Sequence, residues 1–182
     1  SLSLHFSRGE FDARRRNVVD VMRSCRFDGL LLFRQESMYY LTGYDTMGYS
    51  QFQCLFMGLE GQLVLLTRSA DLRQARITST IEDVRIWVDR EDSDPGADLQ
   101  KILSDHGLAG SCLGVELDAY SLTGQRWDMV RSALNGFCSF EDASGLVSRL
   151  RLVKSQAELV AAMSDPRYDR DPAYRADLMR RL

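Results

Sequence analysis

The sequence predicts an α/β protein: a three-layer α/β/α sandwich, helices on both faces of one mixed sheet of about six strands. Three observations predict it. Apolar runs such as LLLF (30–33) lack polar alternation, as expected of strands covered on both faces. These runs alternate with stretches whose apolar residues recur at helical spacing, the pattern of a layered α/β fold. Finally, LEGQ (59–62) is a tight turn between QCLFM (53–57) and LVLL (63–66), which makes a hairpin and hence a mixed sheet.

Taken in order, Ser7 and Glu10 fit a capping box ahead of a first helix. Phe11, Val18, Met22 and Cys25 form its apolar face, with Arg14, Arg15 and Arg16 on the wet side. Residues 28–29 end it and the 30–33 strand follows. Residues 35–41 make a helical turn closed by Gly43. After the hairpin, Ser69 caps a helix through Ala70, Leu72, Ala75 and Ile77, and residues 84–88 form a strand. Leu99, Ile102, Leu103 and His106 share one face of the next helix, with Gly107 at C′. Residues 112–115 are a strand, 122–134 a helix, 136–140 a last strand, and 143–152 and 155–163 two helical pieces. From residue 164 the stretch SDPRYDRDPAYRADLMRRL repeats Asp-Pro and reads as a separate tail with a short helix from Pro172, where proline suits the first helical position.

Composition excludes several classes. A net charge of −3 argues against a phosphate-neutralising nucleic-acid binder. No segment approaches the ~20 apolar residues that span a bilayer, and the N-terminus has no signal-peptide pattern. Cys25, Cys54, Cys112 and Cys138 are dispersed in apolar contexts and read as reduced core thiols of a cytoplasmic protein. No Gly-rich phosphate loop occurs. Neither His5 nor His106 has the neighbours that a triad or histidine metal site needs, and His106 reads as a packed or capping residue. The acidic pairs at 82–83, 91–92 and 141–142 are weak signals, since adjacent side chains on a strand point different ways, and Glu91, Asp92 and Asp94 read as a solvated loop. Glu116 and Asp118 follow a strand, where ligands often bind, or serve as a cap for the next helix. A self-contained small enzyme would need Glu116, Asp118 or Cys54 gathered in one pocket.

The stretch MYYLTGYDTMGYSQF (38–52) stands out. Met38, Tyr39 and Leu41 suit packing under the sheet. Asp45, Thr46, Gly48, Ser50 and Gln51 are loop formers, and Tyr44, Met47, Tyr49 and Phe52 among them are expected to expose aromatic and thioether surface, as interfaces and ligand contacts do.

Three stretches in this order resemble the N-terminal domain of the creatinase/prolidase/aminopeptidase P superfamily. They are FDGLLLF (27–33) with MYYLTGY (38–44), the hairpin with LLTR (65–68), and LRLVKSQAEL (150–159), which is similar to the family's junction with its catalytic domain. The chain departs from the pattern at Ser37, where the family usually has asparagine. The resemblance implies a ribonuclease H-like domain over 7–153, a junction helix over 154–163 that leads toward a catalytic domain, and a tail over 164–182.

It also implies a non-catalytic role in an Xaa-Pro dipeptidase/creatinase-like hydrolase. The expected partners are the chain's own catalytic domain and a second subunit in a homodimer. The loop would gate a small peptide or amide substrate, with Tyr49 and Gln51 as the best matches and Tyr44, Asp45 and Phe52 beside them. Family members act on Xaa-Pro dipeptides, creatine or ectoine. Their Asp, His and Glu ligands hold two divalent metals (Mn, Co or Zn) in that second domain; within these 182 residues no catalytic or metal-ligating residue and no cofactor is expected. The alternative is a stand-alone binding or scaffold module of the same fold.

Overall fold

The computed structural model describes residues 4–180. Its elements are α1 (Arg8–Ser24), β1 (Gly29–Leu32), α2 (Gln35–Thr42), β2 (Cys54–Gly58), β3 (Leu63–Arg68), a 3₁₀ turn (Ser69–Asp71), α3 (Leu72–Thr78), β4 (Asp83–Trp87), α4 (Pro95–Asp105), β5 (Cys112–Val115), α5 (Gly124–Ala133), β6 (Ser139–Asp142), α6 (Leu146–Arg151), α7 (Gln156–Met163), α8 (Pro166–Arg170) and α9 (Pro172–Arg180). The six strands form one sheet in the order β4-β3-β2-β1-β5-β6. Only β2 runs against the rest: it pairs antiparallel with β1 and β3, and all other pairs are parallel.

Two apolar cores lie on opposite faces of the sheet, as the three-layer expectation requires. Leu31, Cys54, Phe56, Leu66, Leu113 and Val115 pack against α4 and α5 through Leu99, Ile102, Leu103, Val130 and Leu134. Their strand neighbours Leu30, Leu32, Leu55, Met57 and Leu65 pack against α1, α2 and α6 through Val18, Met22, Met38, Leu41, Leu146 and Val147. Strand side chains alternate between faces, so an unbroken apolar run serves both cores. The hairpin turn closes with Gly61 in the left-handed region at φ 77°.

Several expectations are corrected. Arg14 is buried rather than wet, at 3% exposure. Its guanidinium lies 4.4 Å from the Phe6 ring and 4.6 Å from the Tyr40 ring. It donates to the Tyr40 carbonyl at 2.9 Å, and Glu10 and Glu158 stand at 3.1 and 3.5 Å. Two carboxylates compensate the buried cation and tie α1 to α2 and α7. Because Glu10 turns to Arg14, Ser7 makes only its half of the capping box, accepting the Glu10 amide at 3.2 Å. Ser69 does not cap α3. It starts the 3₁₀ turn, and Asp71, which precedes α3, gives its carboxylate to Arg68 and Thr46 instead. The last strand begins at Ser139 because Gly136 turns the chain at φ 75°, and α6 begins only after Gly145 at φ 79°. Of the four thiols only Cys54 is buried; Cys25 is exposed, at the C-cap of α1.

In the 164–180 segment each Asp-Pro pair starts a helix. Asp165 and Asp171 accept the amides of Arg167 and Ala173 at 2.8 and 2.9 Å, and each proline fills the first helical position. Arg167 lies over the Tyr174 ring at 4.5 Å and Arg175 over Tyr168 at 5.9 Å, which pairs α8 with α9. Residues 181–182 of the expected tail lie outside the described residues.

Gly114 marks how closely the layers approach. A Cβ there would meet Leu30, Phe27 and Ala143 side-chain atoms at 2.8, 2.8 and 2.9 Å. Gly114→Ala is expected to cost about 1–3 kcal/mol by overpacking, read as a lower urea midpoint. An unchanged midpoint would contradict this packing.

Candidate functional site

The sheet's connections reverse direction between β1 and β5. From β1 the chain goes to β2 on one side; from β5 it goes to β6 on the other. The crevice outside the carboxyl ends of such a strand pair is where ligands bind in open α/β sheets. Three segments meet at this edge: the β1–α2 junction, the loop of residues 43–53 that enters β2, and the loop of residues 116–123 after β5.

Glu116 holds the first and third together. It is fully buried. Its Oε1 accepts the amides of Phe33 and Arg34 at 3.0 and 3.1 Å, and its Oε2 accepts the Ser37 hydroxyl at 2.6 Å. The N-cap residue of α2, Arg34, makes no side-chain cap of its own. A carboxylate that follows β5, 79 to 83 residues further along, instead holds the backbone just ahead of the helix and the Ser37 side chain in its first turn. The sequence expectation of a cap for the next helix is thereby corrected: Glu116 bonds the β1–α2 junction, and Thr123 caps α5. Asp118 lies at the surface in an ion pair with Arg34 at 3.0 Å.

Burial pushes the Glu116 carboxyl up to about 7, against the lowering by Ser37 and the two amides; nearby Asp118 raises it further. Burial, with Glu116 nearby, also pushes the Cys54 thiol far up, so it is no nucleophile at neutral pH. Glu116 is thus engaged by the β1–α2 junction and Asp118 by Arg34, and Cys54 lies in the core.

Burial alternates along residues 44–49, ahead of a turn that the Gln51 amide closes on the Gly48 carbonyl. Tyr44, Thr46 and Gly48 point inward and are buried; Asp45, Met47 and Tyr49 point outward. Tyr44 is 0% exposed, Met47 90% and Tyr49 53%. The inward residues are bonded in a chain. The Tyr44 and Thr67 hydroxyls donate to Gln53 Oε1 at 2.6 and 2.8 Å, and Gln53 Nε2 donates to the Gly48 carbonyl at 2.8 Å. Thr46 donates to Asp71 at 2.8 Å and accepts the Gly48 amide at 3.0 Å. A Cβ at Gly48 would stand 2.7 Å from the Asp71 carboxylate, which Thr46 and Arg68 hold in place.

The five candidate residues thus divide. Tyr44 and Phe52 are anchors, contrary to their expected exposure. Tyr44 follows the period-two pattern inward, and Phe52 packs against Phe33 and Trp87 at ring distances of 5.9 and 6.4 Å. Asp45 is exposed while its amide bonds Thr78 at 3.1 Å. Gln51 is half-buried and its amide bonds the Gly48 carbonyl at 2.9 Å. Tyr49 is displayed. It lines a cleft of about 260 Å³ with Phe33, Arg34, Glu36, Tyr120 and Ser121.

Tyr120 is 85% exposed and was not among the sequence candidates. The signal was available: an aromatic in the polar loop DAYS (118–121) that follows a strand. Arg126 was also missed, and an arginine that bonds two distant loops leaves no mark in local sequence. One of its terminal nitrogens donates to the Ser50 carbonyl at 2.8 Å and the Ser121 carbonyl at 2.7 Å.

Among the described residues no three His, Cys, Asp or Glu side chains group as a metal site, and no helix is long and apolar enough to cross a membrane. His106 bonds the Ile102 carbonyl at 2.9 Å and meets the Phe56 ring edge-on.

Glu116 makes a pH prediction. Its folded value, about 7, lies above the ordinary 4.5 of an unfolded glutamate. The fold therefore binds the proton more tightly, and the stability this confers is complete below pH ~4.5 and lost as pH rises through ~7. Glu116→Gln keeps an acceptor for the amides and offers a donor to Ser37. It is expected to abolish this slope, worth up to about 3 kcal/mol between pH 4.5 and 8, in urea unfolding across that range. An identical slope in both proteins would contradict the assignment.

Comparison with known proteins agrees with this architecture. The sequence profile of the Creatinase/Prolidase N-terminal domain matches residues 14–153, and that of the phage T7 capsid assembly protein matches residues 144–182. The ectoine hydrolase of Halomonas elongata is 32% identical over 165 residues, which are 87% of this chain and 41% of that protein. The prolidase from Thermococcus sibiricus superposes with a TM-score of 0.72 at 19% identity, over 91% of this chain and 43% of that one. The N-terminal domain of the cytoplasmic peptidase PepQ from Mycobacterium tuberculosis superposes with a TM-score of 0.59 at 23% identity, over 76% of this chain and 98% of that one. The chain therefore spans less than half the length of the full-length relatives it matches. With its profile match, its mixed six-stranded sheet and its switch-point loops, the chain belongs to the creatinase/prolidase N-terminal domain family.

Proposed function

We propose that this chain is the non-catalytic N-terminal part of a cytoplasmic hydrolase of the Xaa-Pro dipeptidase/creatinase type, and that its loop of residues 43–52 gates a substrate pocket built elsewhere. The observation that carries the reading is a loop clamped from below by buried hydrogen bonds yet displaying Met47 and Tyr49. An unclamped loop would lose ordering entropy on every binding event; a preformed one does not. Exposed aromatics with a polar tip suit contact with a ligand or a second subunit.

In this reading residues 7–153 form the domain, 154–163 join it to a catalytic domain, and 164–182 are a tail. The half or more exposed Leu152, Val153, Val160 and Met163 supply apolar surface for contact with that domain. Two copies associate, so that each loop overhangs the other subunit's pocket. Two divalent metals belong to the catalytic domain, and no step of their chemistry falls to these residues. Relatives include an ectoine hydrolase, so a small amide or peptide is the substrate class.

The test is steady-state kinetics on the hydrolase that contains this domain, with ectoine and alanyl-proline as probes. Tyr49→Ala is expected to raise KM about fivefold or more, with kcat and metal content little changed. An unaltered KM on the probe that is turned over would overturn the gating role.

A further inference from the structure

Tyr49 does not stand alone at the switch point. Tyr120, from the loop after β5, lines the same cleft, although 71 residues of chain separate the two. At 85% exposure Tyr120 contributes almost nothing to the core, so packing does not explain a large aromatic there. The two loops are also mechanically joined. A single Arg126 nitrogen donates to the carbonyl of Ser50, the residue after Tyr49, and to the carbonyl of Ser121, the residue after Tyr120. Ser121 in turn donates its hydroxyl to the Phe33 carbonyl at 3.2 Å, fixing this loop to the end of β1. Each tyrosine thus sits one residue from a bonded carbonyl shared through one guanidinium. A planar, always-charged group with several donors is suited to such a staple.

We propose that Tyr120 is the second wall of the gate, that Tyr49 and Tyr120 together form an aromatic slot for a compact, partly apolar substrate end, and that Arg126 is the positioning residue that holds the two walls in register. The inference rests on the gating reading above and adds a residue pair to it. The slot offers two phenol faces for an apolar ring or branched alkyl group, and two hydroxyls for a polar atom on the same group. At its base Arg34 is engaged by Asp118 at 3.0 Å and Glu36 at 3.8 Å. It is therefore largely neutralised as an anion receptor, which favours a ring or alkyl group over a free carboxylate as the occupant.

The experiment compares Tyr49→Ala, Tyr120→Ala, the double variant, Arg126→Gln and Arg126→Lys in the full hydrolase, with ectoine and alanyl-proline as probes. Tyr120→Ala is expected to raise KM by about the same factor as Tyr49→Ala, roughly fivefold, with kcat within about twofold. The double variant should raise it by less than the product of the singles, because the two walls act on one group. Arg126→Gln should raise KM, and Arg126→Lys, which keeps the charge and donors on a shorter side chain, should recover part of the loss. If Tyr49→Ala raises KM while Tyr120→Ala matches wild type, the two-walled slot is wrong and gating by Tyr49 alone survives. If neither variant moves KM, the gating reading and this inference both fall. A drop in melting temperature accompanying the Tyr120→Ala change would assign Tyr120 a structural role and overturn the slot.

Discussion

A buried carboxylate at the end of β5 governs the geometry of this domain's carboxyl edge. Glu116 has no contact with water, and it spends its acceptors on two amides and one hydroxyl of the β1–α2 junction. The helix that follows this junction is short and has no side-chain cap. Without Glu116 those donors would be buried or half-buried with no partner, each at a cost of about 1–3 kcal/mol. Two strands that are neighbours in the sheet but far apart in sequence are thereby locked at the point where their connections part. Everything displayed at that edge inherits its position from this lock: Arg34 and Asp118 directly, the tyrosines through Phe33, Ser121 and Arg126.

The displaying loop follows from an equally simple constraint. Burial alternates along residues 44–49. Tyr44 is held inward by burial and by its bond to Gln53; Thr46 and Gly48 are buried on the same side, and Met47 and Tyr49 face out. Polar groups that point inward meet partners with matching chemistry in Gln53, Thr67 and Asp71. Rigidity and exposure are not opposed here. The inner half of the loop provides the first and the outer half the second, and under the proposed gating role no ordering cost would fall on ligand binding.

The fold was legible because its signals are local and periodic. LLLF could hardly be anything but a doubly covered strand, and LEGQ forced a hairpin and hence a mixed sheet. The helical pieces at 143–152 and 155–163 were legible from the chain itself, and Ser155 and Glu158 form a capping box at the start of the second. Illegible features were those set by distant partners. Arg14 looks like one more wet arginine until Phe6, Tyr40 and Glu158 surround it. Glu116 looks like a strand-end carboxylate for a ligand or for the next helix's cap, and only the fold brings Ser37 to it. Within the candidate loop the burial of Tyr44 and Phe52 was not legible, since no local rule says which residues of the alternation face the core. Tyr120 needed only the loop's own argument applied a second time.

The lock at Glu116 is tested most directly by amide hydrogen exchange of the described chain, residue by residue, near pH 6. The account predicts that the Phe33 and Arg34 amides, although they lie past the last ladder bond of β1, exchange as slowly as those of Leu31 and Leu32, and that Glu116→Ala releases both selectively. Exchange of these two amides at the rate of an open surface loop in the unaltered protein would contradict it.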